Sequence, residues 1–493
     1  MLYRLALRAL AESRHEEAAG ALARLLEAHP GHVNALVLLS KTCLALGDHP
    51  RSVEYARRVL DLDVRDDRVL ALVADLLGRS EDHLGAKAAY EAAIRVNPAG
   101  AAHLCNYASI LRIEGRIDEA ALALERCIAL DAAHCKAHWI LSSLKRQTPA
   151  DNHVSRLERL RSRQRLNDRG RMLIGFALSK EYEDLGEYER SFACLDEACR
   201  LKRRSFDYDV EEDTRPLREL EELFDSGYVS SQSGSGDADC APVFIVGLPR
   251  TGSTLIEQIL GATGHLFPGG ELPTLGGETA CLLRAHGGPA RDFRALRGAS
   301  IDWRALGRAY VEKSAAFIRS ARHKTGFESC AAFIDKMPQN FMHVGFILLA
   351  LPNAKVVVTE RGAMDTCFGN FRQLYNDPFY RFSYRLDEMG AYYIAWRRLM
   401  RHWIDLFGDR IFTVGYERFV SEPEAVARAV FDYCGAPWAP GSLDPAGRSR
   451  PVATASATQV RQAINRESVD RWKRYARQLA PLSSQLRQAG VGV

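Results

Sequence analysis

The residues best spaced for chemistry lie in the segment APVFIVGLPRTGSTLIEQILGATGH, residues 241–265. Val243 to Val246 is a short apolar, β-rich run, the pattern of a buried parallel strand. Gly247-Leu-Pro-Arg-Thr-Gly-Ser-Thr254 is a tight turn, and Thr254 to Leu260 reads as a helix. Strand, glycine-bearing loop and helix in that order form an anion cradle, because loop amides and the helix N-terminus point at phosphate-like oxygens. The nucleoside-triphosphatase motif would place a lysine where Ser253 stands. That lysine reaches the terminal phosphates, so its absence argues against ordinary ATP or GTP hydrolysis. Arg250 supplies a cation inside the loop instead.

Three further segments carry candidate groups. FPGGELPTLGG offers Glu271 behind two glycines, which let the backbone approach a cleft closely. AAFIDKMPQN reads as a strand, Ala331 to Ile334, followed by Asp335-Lys336 and by Pro338 opening a helix. PNAKVVVTERGAMDTCFGNF gives a strand from Lys355 to Thr359 and then Arg361, whose fixed cationic fork suits a phosphate.

At these residues the chain resembles the sulfotransferase superfamily over about 241–475, in particular bacterial repeat-containing sulfotransferases and the protein-tyrosine sulfotransferases. PRTGST is similar to the family's 5'-phosphosulfate loop. The resemblance implies transfer of a sulfuryl group from 3'-phosphoadenosine 5'-phosphosulfate (PAPS) to a hydroxyl, in line and with no covalent enzyme intermediate. It implies that Pro249, Arg250, Thr251, Gly252, Ser253 and Thr254 hold the donor, with Arg250 on the sulfonate. Glu271 would be the general base, with Glu278 and His265 as weaker candidates, and Lys336 would meet the leaving phosphate. Arg361 matches the arginine of the 3'-phosphate motif, but the serine eight residues on is Gly369 and the following aspartate is Gly362. Thr366, Asn370 or Arg372 is a candidate replacement. In VATASATQVRQAINRESVDRWKRY, Ser456 falls on a serine near the reacting group and Arg471 on a basic residue reaching the nucleotide. Tyr416-Glu417 matches a common structural dipeptide. No metal is expected, because loop cations replace magnesium.

These loops need a scaffold. In units of 34 residues, small side chains recur at Ala18, Ser52, Ala86 and Ala120, and at Ser40, Ala74 and Ala108. Large aliphatics recur at Leu26, Leu60, Ile94 and Ile128, and at Leu36, Leu70 and Leu104, while Pro30 and Pro98 close repeats. The pattern resembles tetratricopeptide repeats (TPR), each a pair of antiparallel helices. Gly47, Gly115 and Gly186 fall at the turn inside a unit. The expected fold is an N-terminal α-solenoid followed by a P-loop-like three-layer α/β domain with a parallel sheet. The expected boundaries are 1–148 for the repeats, 149–224 for a helical connector with a further repeat-like pair, 225–240 for a flexible Ser/Gly/Asp-rich linker, and 241–493 for the sulfotransferase domain.

Composition fits this outline. The chain has 493 residues, 47% hydrophobic and 26% charged, and a net charge of +4, which does not suggest a general nucleic-acid binder but leaves room for a local basic cleft for an anionic nucleotide. Eleven dispersed cysteines without a C-x-x-C pair indicate reduced thiols and a cytoplasmic setting. The start lacks a signal-peptide core, and no apolar run approaches the ~18 residues of a membrane span. A protein partner is expected on the repeats. Protein tyrosine is one candidate acceptor, and carbohydrate or small-molecule hydroxyls are the alternatives. Aromatics over 368–396 could line the acceptor cleft. Two other classes stay open: a degenerate nucleotide kinase or NTPase, with Asp335 as a Walker-B-like aspartate, and an inactive repeat scaffold.

Overall fold

The computed structural model describes residues 1–162, 166–289, 291–322, 333–444 and 463–493. Met1–Leu144 together with the described residues 313–322 form one compact unit, and Lys145–Glu312 with the described chain from Phe333 onward form the other.

The first unit is a stack of helix pairs: α1 (Leu2–Ala11), α2 (His15–Ala28), α3 (Val33–Ala45), α4 (His49–Leu60), α5 (Asp67–Arg79), α6 (His83–Val96), α7 (Ala101–Glu114), α8 (Ile117–Leu130) and α9 (Cys135–Leu144). The recurring small residues Ala18, Ser52, Ala86 and Ala120 are all fully buried, which lets paired helices approach closely. The Ser40 hydroxyl donates to the Ser52 backbone oxygen across one such pair at 2.8 Å. The turn inside each unit needs a left-handed residue. Gly47 (φ 76°) and Gly115 (φ 83°) provide it, whereas Ser13 (φ 58°) and Glu81 (φ 64°) adopt it at the same register without glycine's freedom.

The second unit opens with α10 (Val154–Arg161), then a longer pair α11 (Asp168–Asp184) and α12 (Tyr188–Arg204), turned at Gly186 (φ 82°). Helix α13 (Glu211–Leu223) follows. The stretch 225–240, expected to be a flexible linker, is instead largely ordered against the domain. Asp225 caps α14 (Ser226–Gln232), and the Asp237 amide donates to the Ala350 backbone oxygen at 2.8 Å. Its small residues serve close packing: a Cβ on Gly236 would lie 2.2 Å from the Leu349 backbone oxygen.

The rest of the unit is a parallel sheet with helices around it. Its described strands are β1 (Val243–Gly247), β2 (Phe267–Pro268), β3 (Phe333–Asp335), β4 (Lys355–Glu360) and β5 (Ile411–Gly415), in the order β2-β3-β1-β4-β5. All described pairings are parallel. Every β1 residue is buried, as a continuous apolar run demands of a strand covered on both faces. The helices are α15 (Ser253–Gly261), α16 (Thr274–Ala285), α17 (Trp303–Arg322, whose residues from Lys313 on belong to the first unit), α18 (Val344–Ala350), α19 (Ala363–Phe371), α20 (Leu386–Phe407), α21 (Tyr416–Ser421), α22 (Pro423–Cys434) and α23 (Ala480–Gln488). From β1 the connections run first to one side, to β2 and β3, and then to the other, to β4 and β5. In open parallel sheets that switch point, at the carboxyl ends of the strands, is where ligands bind.

Candidate active site

Every candidate segment emerges at that carboxyl edge: the 247–254 loop from β1, Lys336 from β3, Arg361 from β4 and Tyr416 from β5. The loop turns on three left-handed or open residues, Gly247 (φ 145°), Arg250 (φ 71°) and Gly252 (φ 97°). At Gly252 the glycine is required twice, because its φ is left-handed and a Cβ would meet the Tyr416 ring at 2.8 Å. The buried Thr251 hydroxyl donates to the Leu248 backbone oxygen at 2.7 Å and lies 2.8 Å from the Thr359 hydroxyl, pinning the loop to β4. Pro249 is held from the other side, where the Asn370 amide donates to its backbone oxygen at 3.0 Å. Ser253 and Thr254 open α15, whose N-terminus has no side-chain cap. Its positive end is turned toward the loop, as an anion cradle requires.

Glu271 and Lys336 meet because a strand pairing continues past its end. Phe267 and Pro268 pair with Phe333 and Ile334. The Gly269 amide then donates to the Ile334 oxygen at 2.7 Å, and the Lys336 amide to the Gly270 oxygen at 2.9 Å. Gly270 needs its left-handed φ of 73°, and its amide is held at 2.9 Å by the carboxylate of Glu257, one turn into α15. The result is a Lys336 Nζ to Glu271 Oε1 distance of 2.5 Å. The lysine side chain is 1% exposed and the glutamate 43%, so the carboxylate faces the opening and the ammonium sits behind it. Asp335 is fully buried. Its carboxylate accepts from Tyr310 at 2.8 Å and Asn340 at 3.1 Å, yet burial outweighs these bonds and pushes its pKa up to about 7. It is built into the core and not presented to the loop, which opposes a Walker-B-like role. Glu278 lies on α16 and His265 is exposed, while Glu271 is joined to Lys336 by an ion pair.

Arg361 is nearly buried and lies against the loop. It donates to the Arg250 backbone oxygen at 3.3 Å and to the Ser468 backbone oxygen, pairs with Asp365 at 3.4 Å, and stacks 4.7 Å over the Tyr416 ring. Glu417 caps α19 through the Gly362 amide at 2.9 Å. At the serine-replacing position, a Cβ on Gly369 would lie 3.3 Å from the Arg250 Cβ, so the arginine's stem fills the missing side chain's place. Of the proposed substitutes, Thr366 donates back to the Arg361 oxygen and Asn370 is consumed by Pro249, Thr366 and Tyr375. Arg372 and Arg471 remain half-buried beside the loop. Burial, deepened by Arg361 and Arg471, lowers the Arg250 pKa; burial and then Arg471 push Arg372 down to about 10. That mutual repulsion marks a concentration of cations awaiting negative charge. Ser456 lies outside the described residues.

Sequence reading missed Glu257, Asp365 and Glu183. Glu257 could have been found one helical turn after Ser253. Asp365 stands four residues after Arg361, in the first turn of α19; it accepts from the Asp470 amide at 2.7 Å and the Trp472 amide at 3.2 Å, fixing the turn that carries Arg471. Nothing in local sequence signals Glu183. The aromatics of 368–396 are mostly core: Phe368, Phe371, Phe382, Tyr392 and Trp396 are buried, with Phe382 and Tyr392 stacked at 3.6 Å. Tyr375 and Phe379 stay partly exposed.

A glycine-bearing loop leading into a helix, a carboxylate–lysine pair and a group of arginines gather at the switch point of the sheet. Residues 242–440 match the sulfotransferase family model, and residues 9–76, 74–133 and 176–205 match tetratricopeptide repeat models. The chain thus carries a domain of the sulfotransferase family together with tetratricopeptide repeats. An uncharacterized protein of Aquifex aeolicus (strain VF5) is 31% identical over 341 residues, 67% of this chain and 43% of that protein, so the chain spans less than half the length of this relative. Among solved structures, the sulfotransferase domain from the Synechococcus PCC 7002 olefin synthase is 21% identical, covering 48% of this chain and 88% of its own, at a TM-score of 0.33. The MamA protein is 17% identical, covering 42% of this chain and 94% of its own, at a TM-score of 0.28.

Proposed function

We propose that the chain is a sulfotransferase using PAPS as donor and a hydroxyl group as acceptor. The observation that carries this reading is the Glu271–Lys336 pair, 2.5 Å apart at the carboxyl edge of the sheet that also carries the loop. PAPS supplies an activated sulfuryl group bound to a good leaving phosphate. The residues present fit it: the glycine-bearing loop and the N-terminus of α15 for the 5' end, and Arg361, Arg372 and Arg471 for a second phosphate.

Each remaining task falls to a named side chain. The 247–254 amides and Arg250 hold and orient the sulfonate. Glu271, the more exposed partner, accepts the proton of the acceptor hydroxyl. Lys336 gives up its pairing with Glu271 and neutralises charge building on the departing phosphate oxygen. The same exchange frees the carboxylate to act as a base. Arg361 orients the nucleotide's other phosphate. Protein tyrosine is retained as an acceptor, with carbohydrate and small-molecule hydroxyls as alternatives. In the first unit, a groove of about 410 Å³ lined by Ile94, Leu104, Tyr107 and Leu122, with Glu91 and Arg126 at its rim, suits a peptide partner.

Adenosine 3',5'-bisphosphate, the donor stripped of its sulfonate, is expected to raise the melting temperature by several degrees in differential scanning fluorimetry, and ADP far less. Equal shifts from the two nucleotides would remove the case for a 3'-phosphorylated donor.

A further inference from the structure

The repeat-like pair α11–α12 is folded into the same unit as the sheet, and it is packed on the two elements that bear the unexplained arginines. The Ser191 hydroxyl lies 3.1 Å from the Tyr475 hydroxyl, the Cys199 thiol donates to the Phe371 oxygen at 3.3 Å, and Phe192 contacts both Phe371 and Tyr475. Phe371 ends α19, next to Arg372; Tyr475 ends the 3₁₀ turn begun by Arg471. Between them sits Glu183, from the last turn of α11, with a side chain 3% exposed. One carboxylate oxygen takes the Arg471 Nε at 2.6 Å and the other takes an Arg372 terminal nitrogen.

We infer that Glu183 is a positioning residue of the donor site, holding Arg372 and Arg471 side by side so that both forks take the nucleotide's 3'-phosphate. This rests on the reading above and adds to it a residue from outside the sulfotransferase domain. Each arginine spends only one nitrogen on Glu183. Among the described residues, the two terminal nitrogens of Arg471 and the remaining two nitrogens of Arg372 make no hydrogen bond, and both side chains stay about a quarter exposed. A phosphate can reach those nitrogens without displacing the carboxylate. Without Glu183 the two guanidiniums would repel each other and Arg250, and each would swing through its own rotamers. The serine missing at Gly369 is thereby replaced by a charged pair braced from the repeats.

Burial alone would raise the Glu183 carboxyl, but Arg372 and Arg471 outweigh it and hold it below its ordinary value. Arg471 is held above its own ordinary value by Glu183, against burial. The carboxylate is therefore charged and engaged throughout the neutral range.

Isothermal titration of the full chain with adenosine 3',5'-bisphosphate and with adenosine 5'-monophosphate tests the assignment. In the Glu183→Gln variant, affinity for the bisphosphate should fall about tenfold, the loss of one well-oriented charge-assisted contact, while the monophosphate binds as before. Arg372→Gln, which keeps the Glu183–Arg471 pair, should show the same selective loss and carries the test if Glu183→Gln does not fold. Selectivity unchanged in either variant, or bisphosphate binding tightened by Glu183→Gln, overturns the assignment. A wild-type protein that does not prefer the bisphosphate overturns the PAPS reading itself, and this inference with it.

Discussion

Replacing Glu271 by glutamine is expected to lower the rate of sulfuryl transfer by about 10²–10⁴-fold. The substitution keeps the side chain's shape and its ability to accept a hydrogen bond from Lys336, but removes the basicity that takes the acceptor proton. Glu271 is 43% exposed, so little packing is disturbed and nucleotide affinity should stay near wild type. The loss should therefore appear in kcat, with titrated binding of adenosine 3',5'-bisphosphate as the control. Near-native turnover in this variant would move the base elsewhere, with Glu278 tested next.

Lys336→Met is the second large effect. Its ammonium is almost wholly enclosed, and its backbone is fixed by the bond from its amide to the Gly270 oxygen. A preorganised cation of this kind acts on charge that develops only as the leaving group departs, so its removal is expected to cost about 10²–10³-fold in kcat. Methionine fills a similar volume, which limits the structural cost. Glu271 then loses its partner but remains open to water, avoiding a stranded buried charge. If kcat persists and only donor affinity drops, Lys336 is a binding residue and the leaving-group role is wrong.

The difference between what could and could not be read from sequence follows the range of the interactions. The repeats were legible because each helix pair reuses one pattern of small and large residues, and Ala18, Ser52, Ala86 and Ala120 report that packing directly. The loop was legible because strand, glycines and helix are contiguous. The roles of Glu271 and Lys336 were expected only through family likeness, and their pairing was not read from the sequence. Its physical cause, the β2–β3 ladder running on through Gly269 and Gly270, joins segments 65 residues apart. The same limit hid Glu183, whose contact with Arg471 spans 288 residues. Composition misled at 225–240, where Ser, Gly and Asp serve helix capping and close backbone approach as well as they would serve a mobile linker.

The most direct test of the account is transfer itself. The full chain would be incubated with ³⁵S-labelled PAPS and a panel of tyrosine peptides, glycans and phenols, alongside Glu271→Gln. Label should move to at least one hydroxyl acceptor, with adenosine 3',5'-bisphosphate released in equal amount and with no transfer above background by the variant. Label transferred equally by wild type and Glu271→Gln, or PAPS hydrolysed with no acceptor modified, would contradict the mechanism built on the Glu271–Lys336 pair.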